Sequence, residues 1–415
     1  MTMDNRIKHE GGQADCPRNA ENARQRVLMV HNFYQIGGGE HTVFTNEVAM
    51  LRRHGHEVVE YTRKNDELKS SKLKLLLSPL TTLWSWKSYR EVKRLIRSER
   101  IDVVHCHNTF PLISPSVYYA AKKCKVPVFQ TIHNFRILCP AGVFFRDGRI
   151  CEACRENGSF KQAMRCRCYR DSKLQTLVVV AMLKLHRALG TYRKINYIFL
   201  TEFNREKFAE LIDINGGNVF VKPNFVSGSA GPRSAPSEKR FVFAGRLEEN
   251  KGVPLLIERW KALPQEYVLN IYGDGEKKAL VEEAARQCPN IRFFGFVPQE
   301  VIEEDIRTSC GLVFPSIWYE GFPMVIAESF SCGCPVLAAD LGNHGDIIRQ
   351  SGGGALFDPA SEQSFTEAVR LMVSDNARLS ENALEYYRSC LNEESNYQTL
   401  VSIYNSPDAL GNVRD

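Results

Sequence analysis

No stretch of this chain is apolar for long enough to cross a membrane. The nearest approach, LQTLVVVAML at 174–183, spans 10 residues, contains Gln175 and runs into Lys184, whereas a spanning helix needs roughly 18. The amino terminus also lacks the apolar core of an export signal. MTMDNRIKHEGGQADCPRNAENARQR is polar and charged, and a disordered tail is expected over 1–25. No repeat of solenoid period is visible. Without an export signal, the 13 cysteines argue for a reducing compartment, hence thiols or metal ligands before disulfides. A cytoplasmic globular protein is expected.

At 415 residues, with 43% hydrophobic and 25% charged side chains, two domains are the natural division. The net charge of +6 conceals an asymmetry: residues 1–230 carry 37 Lys plus Arg against 21 Asp plus Glu, and the remainder 17 against 27. The first half is therefore expected to meet something anionic, such as a lipid surface, a phosphate-bearing acceptor or nucleic acid.

Short β-branched runs alternate with helical spacing. RVLMVHNF, HEVVEYT, DVVHCHN and VPVFQTIHN read as strands of the first half. RFVFAGRL, YVLNIYGDG, IRFFGFV, CGLVFPS and CPVLAAD read as strands of the second. Such βαβ alternation implies parallel sheets covered on both faces. The fold class expected is α/β, with two doubly wound Rossmann-like domains. The first is placed at 26–225, a Gly, Ser and Pro-rich linker at 226–240, and the second at 241–395. The last segment, 396–415, is expected to pack back on the first domain.

Ligands of open α/β sheets lie beyond the carboxyl ends of the strands. Gly245, Arg246, Lys251, the GDG at 273–275 and the FGFVP at 294–298 fall there. Arg and Lys beside glycine suit a diphosphate. In WYEGFPMVIAE, seven residues separate Glu320 from Glu328, and a helix is expected to start at Pro323. Ionised carboxylates accept hydrogen bonds from vicinal hydroxyls. Cations for phosphates beside carboxylates for diols describe a nucleoside-diphosphate sugar. His105 and His107, alternate residues at one strand end, have the spacing of a metal pair but are assigned no role.

FAGRLEENKG, IYGDGE, FFGFVP and YEGFPMVIAESFSCGCPVLAAD resemble the donor-binding domain of family 4 retaining glycosyltransferases of the GT-B fold. IGGGEH, QTIHN and KPNFV resemble parts of the first domain and the domain joint. The resemblance implies two domains facing across a cleft and a metal-independent hexosyl transfer with retention. It implies that Glu320 holds the donor sugar's hydroxyls and Glu328 the ribose. Arg246 and Lys251 would neutralise the leaving diphosphate, and Gly38 and Gly39 would let backbone N–H groups approach a phosphate. Glu40 would sit on the acceptor side, with His133 beside the anomeric centre. Two departures stand out: Asn134 follows His133 where many members carry Asp, and Asn343 and His344 replace a common glycine and proline.

Expected partners are a nucleoside-diphosphate sugar and a glycan or lipid-linked acceptor of surface glycan synthesis, with no nucleic acid. An anionic membrane surface is expected to meet Lys72, Lys74, Lys87, Arg90, Lys93, Arg94 and Arg97. A nucleotide-sugar epimerase or hydrolase on the same scaffold stays open, as does a zinc-dependent nucleic-acid-binding protein. The latter leaves Arg246, Lys251, Glu320 and Glu328 unexplained together.

An insert at 138–172 holds Cys139, Cys151, Cys154, Cys166 and Cys168. It is polar, weak in periodicity and not expected to bury a core of its own. Four thiolates on a structural zinc would order it; disulfides and free thiols are the other readings. The similarity of CYRDS to family inserts implies Cys168, with Cys139, Cys151 and Cys154, as the ligand set, shaping the acceptor side and remote from the chemistry.

Overall fold

The computed structural model describes residues 24–34, 38–68, 72–228, 233, 235–236 and 238–411, with the backbone alone at 68, 72–77 and 410–411. The tail expected over 1–25 lies outside the described residues except for its last two. The first sheet contains β1 (Arg26–Phe33), β2 (Glu57–Lys64), β3 (Val103–Asn108) and β4 (Val128–Ile132). A small antiparallel ribbon, β5 (Phe145–Arg146) and β6 (Arg149–Ile150), follows in the insert, and β7 (Asn196–Phe199) and β8 (Val219–Val221) complete the sheet. Its order is β2-β1-β3-β4-β7-β8, all parallel.

The second sheet comprises β9 (Arg240–Ala244), β10 (Val268–Tyr272), β11 (Ile291–Gly295), β12 (Gly311–Phe314), β13 (Val336–Ala339) and β14 (Gly354–Phe357), ordered β11-β10-β9-β12-β13-β14. The order reverses between β1 and β3 in one sheet and between β9 and β12 in the other. At such switch points the connecting loops part and leave a crevice. Both crevices open toward each other.

The central strands β1, β3, β4, β10, β12 and β13 are buried along most of their length because both faces are covered. Leu28, Val30, Val104 and Cys106 enter one core, while Val27, Met29 and Val103 enter the core on the opposite face. In the second sheet Phe241, Phe243 and Val313 face one way, and Val242, Leu312 and Phe314 the other. Period-two side-chain alternation between two packed helix layers produces that division.

Helix Val253–Lys261 is entered through Gly252, at φ +73°, where an added Cβ would lie 1.9 Å from the Pro315 carbonyl oxygen. That close approach ties the loop after β9 to the end of β12, and with it Lys251 to the Glu320 loop. The insert is less coreless than its composition implies. Cys154, Phe160 and Ala163 are buried together with Val179, Val180 and Leu183 of helix Lys173–Ala188.

After the second sheet the chain returns to the first. Helix Glu393–Tyr404 lays Tyr397, Leu400, Val401 and Tyr404 against Val27, Met29 and Phe129. Tyr397 Oη lies 3.0 Å from His56 Nε2. Leu400 is fully buried, so Leu400→Ala is expected to destabilise the first sheet's unit by about 2–5 kcal/mol, read as a lower urea midpoint in that unit although the residue lies far along the chain.

Candidate active site

Strand ends of both sheets supply the lining of one cleft of about 230 Å³. Gly39, Glu40, His133 and Asn134 come from the first, and Arg246, Lys251, Tyr319, Glu320 and Gly321 from the second. The two sides nearly touch: a Cβ on Gly321 would lie 2.2 Å from the His133 carbonyl oxygen. A Cβ on Gly39 would lie 3.7 Å from Met324 Cγ. Glycine at 321 is thus the condition for the second domain's loop to reach the histidine.

Glu320 is engaged by its own neighbours. Its Oε1 accepts from Lys251 Nζ at 2.8 Å, Ser316 Oγ at 2.8 Å and Trp318 Nε1 at 2.6 Å. Burial alone would push its pKa up; the Lys251 charge and these three donors outweigh that and hold it below the usual carboxylate value. The carboxylate is therefore ionised, and every bond it receives from side chains falls on one oxygen. Lys251 also sits over the Trp318 ring, 5.3 Å from its centroid. The helix begins at Met324, with Pro323 as its cap, one residue later than the sequence spacing implies. Glu328 lies in its second turn, half-buried, with its pKa raised by burial and by the neighbouring Glu303.

The glycine-rich strand ends of the second sheet are stitched by backbone. Gly245 N–H donates to the Tyr272 carbonyl at 3.1 Å and Gly273 N–H to that of Gly295 at 2.8 Å. Arg246 projects from this edge, exposed, and its Nη1 donates to Glu248 at 2.6 Å. On the facing side Gly38 caps helix Gly39–Arg53 in an extended conformation. Glu40 Oε1 and His31 Nδ1 are 3.9 Å apart, both buried without a hydrogen-bond partner. Burial, countered in part by Arg136, pushes Glu40 up to about 8.

The two departures from the family pattern have structural roles. Asn134 Oδ1 accepts from Arg136 N–H at 3.0 Å and shapes its own turn. Asn343, buried, joins the domains: it donates at 2.9 Å to Asn204 Oδ1 and to the Gly321 carbonyl, and it accepts from Thr201. His344 beside it is buried with both ring nitrogens unpartnered, and burial lowers its pKa to about 4.

Cys154 is buried, and its thiol is pushed up to about 11 by burial and by the nearby Cys139, Cys168 and Cys151. Cys166 instead accepts from Arg146 and Gln162. No three of these sulfurs lie within 4.8 Å of one another, a spacing that only Glu47, His105 and His107 reach among the described residues. The insert is not remote from the cleft. Glu152, between Cys151 and Cys154, accepts from Tyr319 Oη at 2.9 Å and from Lys207 Nζ at 2.6 Å, so the C-x-x-C turn braces the residue before Glu320.

Sequence reasoning passed over Glu47 and Lys222, noted Asn343 only as a departure from the family pattern and gave His107 no role, yet all four are buried. Glu47 had a signal: a carboxylate three residues after Phe44 and four before Leu51, on the apolar face of its helix.

Residues 36–149 match the family model described as "Glycosyltransferase Family 4", and residues 230–388 match "Glycosyl transferases group 1". An uncharacterised glycosyltransferase of Methanocaldococcus jannaschii is 23% identical over 339 residues, 77% of this chain and 79% of that protein. The lipopolysaccharide 1,6-galactosyltransferase of Escherichia coli is 25% identical over 41% of this chain and 52% of its own length. Among solved structures, the lipopolysaccharide outer core galactosyltransferase WaaB in apo form superposes with a TM-score of 0.60 at 16% identity, over 91% of this chain and 98% of that one. Anabaena HepE in complex with UDP-glucose superposes with a TM-score of 0.57 at 16% identity, over 91% and 98%. The chain belongs to the family 4 glycosyltransferases of the GT-B fold.

Proposed function

We propose that this glycosyltransferase moves a hexose from a nucleoside-diphosphate sugar to a glycan or lipid-linked acceptor of surface polysaccharide synthesis, with retention of configuration. The observation that carries the reading is the ionised Glu320, bonded through one oxygen to Lys251, in a cleft whose other wall holds His133. At about 230 Å³ the cleft is smaller than the roughly 300–1,000 Å³ of a drug-sized ligand site. It suits the sugar and acceptor, with the nucleotide lying along the strand ends toward Glu328.

Each side chain then has one task. Glu320 accepts from sugar hydroxyls; Glu328, whose carboxylate makes no hydrogen bond among the described residues, accepts from the ribose. Lys251 and Arg246 stabilise the diphosphate as charge develops on it, with Gly38 and Gly39 allowing backbone approach from the other wall. Glu40 faces the acceptor. With placement and charge supplied, the departing phosphate takes the acceptor's proton on the same face, and no side chain need attack.

UDP-glucose, UDP-galactose and GDP-mannose, screened by thermal shift, identify the donor, since a ligand bound only by the native state raises Tm. With that donor, nucleotide release should depend on acceptor; release of equal rate without one favours the hydrolase or epimerase. Glu320→Gln is expected to lower kcat by about 10²-fold or more with nucleotide affinity unchanged, whereas Glu328→Gln weakens nucleotide binding and raises KM. Identical behaviour of the two variants overturns the division of labour.

The insert is proposed to hold one structural zinc through Cys139, Cys151, Cys154 and Cys168. The support is that Cys139, Cys151 and Cys168 lie near enough to Cys154 to raise its thiol, although no three of the sulfurs lie within 4.8 Å of one another; drawn together on a metal, they would be held as the thiolates that burial disfavours. Through Glu152 and Tyr319 it would steady the Glu320 loop. Protein purified without added zinc should carry about one equivalent, lost in Cys151→Ser. Five titratable thiols and no metal would remove the site.

Peripheral, salt-sensitive membrane contact is proposed through helix Trp86–Ser98. Its Val92 and Ile96 are buried, while Lys87, Arg90, Arg94 and Arg97 are exposed, as are Trp86 at its start and Leu80 on the preceding helix. Lys93 is half-buried, and the Lys72 and Lys74 side chains lie outside the described residues. No helix of the described residues is long and apolar enough to cross a membrane. At about 1 kcal/mol per basic residue, phosphatidylserine vesicles should bind the protein at low salt and lose it in the double variant Arg90→Glu, Arg94→Glu. Indifference of the wild type to such vesicles ends the proposal.

A further inference from the structure

Behind His133 lies a buried chain of polar groups that the transfer reaction does not itself require. His133 Nε2 is 2.9 Å from His107 Nδ1, and His107 Nε2 is 3.2 Å from Glu47 Oε1. Glu47 Oε2 accepts from Lys222 Nζ at 3.0 Å. Lys222 also donates to Asn396 Oδ1 at 2.8 Å, and Asn396 Nδ2 donates to the Pro223 carbonyl at 2.6 Å. On the flank, His105 Nδ1 is 3.1 Å from Glu47 Oε1 and 2.7 Å from Tyr404 Oη, and its Nε2 is 2.7 Å from Thr131 Oγ1.

Glu47, His105 and His107 bring ligand atoms within 4.8 Å of one another, which is metal-site spacing. A cation there would meet the Lys222 ammonium already bonded to the same carboxylate, and each ring nitrogen facing Glu47 already has a partner. The cluster is filled by its own hydrogen bonds.

Those bonds have a direction. Despite its burial, Glu47 is kept ionised, well below the usual carboxylate value, by the Lys222 charge with the hydrogen bond to His105, and an ionised carboxylate can only accept. His107 must therefore carry its proton on Nε2. Glu47 and Lys222 cancel each other, so a second proton on a buried ring would be an unpaired positive charge. His107 Nδ1 is then a lone pair, and the only hydrogen bond it can form is one donated by His133 Nε2–H. The stacked rings, 5.0 Å between centroids, hold that geometry.

We propose that Glu47 and His107 are positioning residues that fix the tautomer of His133, so that its ring meets the substrate with a bare Nδ1 and serves only as a hydrogen-bond acceptor for a sugar hydroxyl. Burial and the neighbouring His107 and His31 keep His133 well below the usual histidine value, consistent with a neutral ring. The proposal rests on the reading of His133 as a cleft residue facing the sugar, and it extends that reading by excluding the ring as a proton donor to the leaving phosphate.

Two substitutions separate direction from packing. In His107→Gln the amide can still donate to Glu47 and accept from His133. In His107→Phe the ring stack persists, but the acceptor is gone. Long-range ¹H–¹⁵N spectra of the labelled full chain, with signals assigned through His133→Gln, should show His133 protonated at Nε2 in wild type and His107→Gln, and a mixed tautomer in His107→Phe. With the best donor of the three nucleotide sugars, kcat of His107→Phe should fall by about 10²-fold at little-changed KM, as misplacement of a contact group does, while His107→Gln stays within about tenfold of wild type.

A proton on Nδ1 of wild-type His133, two protons on His107, or equal kcat in wild type and His107→Phe overturns the proposal. If His107→Phe does not fold, the wild-type spectrum decides alone. Full turnover by His133→Ala would instead remove the reading of His133 as a cleft residue and leave the tautomer standing.

Discussion

A carboxylate with 1% exposure is tolerable inside a protein only if charge and hydrogen bonds answer it, and the pairing of Glu47 with Lys222 meets that demand. Its position gives it consequence. Glu47 belongs to the helix that follows the glycine loop, Lys222 to the segment leaving the first sheet, and Asn396, which shares the ammonium, to the helix that returns from the second domain. One ion pair therefore joins the first domain, the domain joint and the returning helix. Removing either partner leaves the other as an uncompensated buried charge, so the three segments hold together or not at all.

The same carboxylate faces His107 and through it His133, so the groups that organise the joint also orient a residue of the cleft. The second domain reaches that residue from the other side. Gly321 lies against its carbonyl, and Asn343 ties Gly321 to Asn204 of the first domain. Two asparagines bonded across a cleft form a polar latch, unlike the apolar cores within each domain. Polar contacts of this kind can exchange with water when the domains part, while a continuous apolar seam would resist opening. The insert adds a third brace: Glu152 takes bonds from Tyr319 and Lys207, and Lys207 lies 4.9 Å from the Tyr319 ring centroid.

Much of this was legible from residues alone. Strands flanked by helices on both faces need a continuous apolar run, and VLMV in RVLMVHNF and FVFA in RFVFAGRL carry that mark. Glycines at 38, 39, 245 and 273 announced strand ends, and Glu320 with Lys251 marked residues that the fold brings to one cleft. NYIF, VFV and GALF, which form β7, β8 and β14, were too short for a period to emerge and became strands because neighbouring strands offered them a ladder.

Local sequence determined the βαβ order, the hinge composition and the types of residue brought to the strand ends, because period, turn chemistry and charge act over a few residues. Tertiary structure alone decided which side chains answer one another. The three donors on one oxygen of Glu320, the Glu47–His107–His133 line and the Asn343 latch join residues 2 to 142 positions apart. Apart from the bonds from Ser316 and Trp318, they arise where two sheets present their carboxyl ends to one cleft. Burial there strips the competing water and leaves each polar group only the partners that the two folds supply.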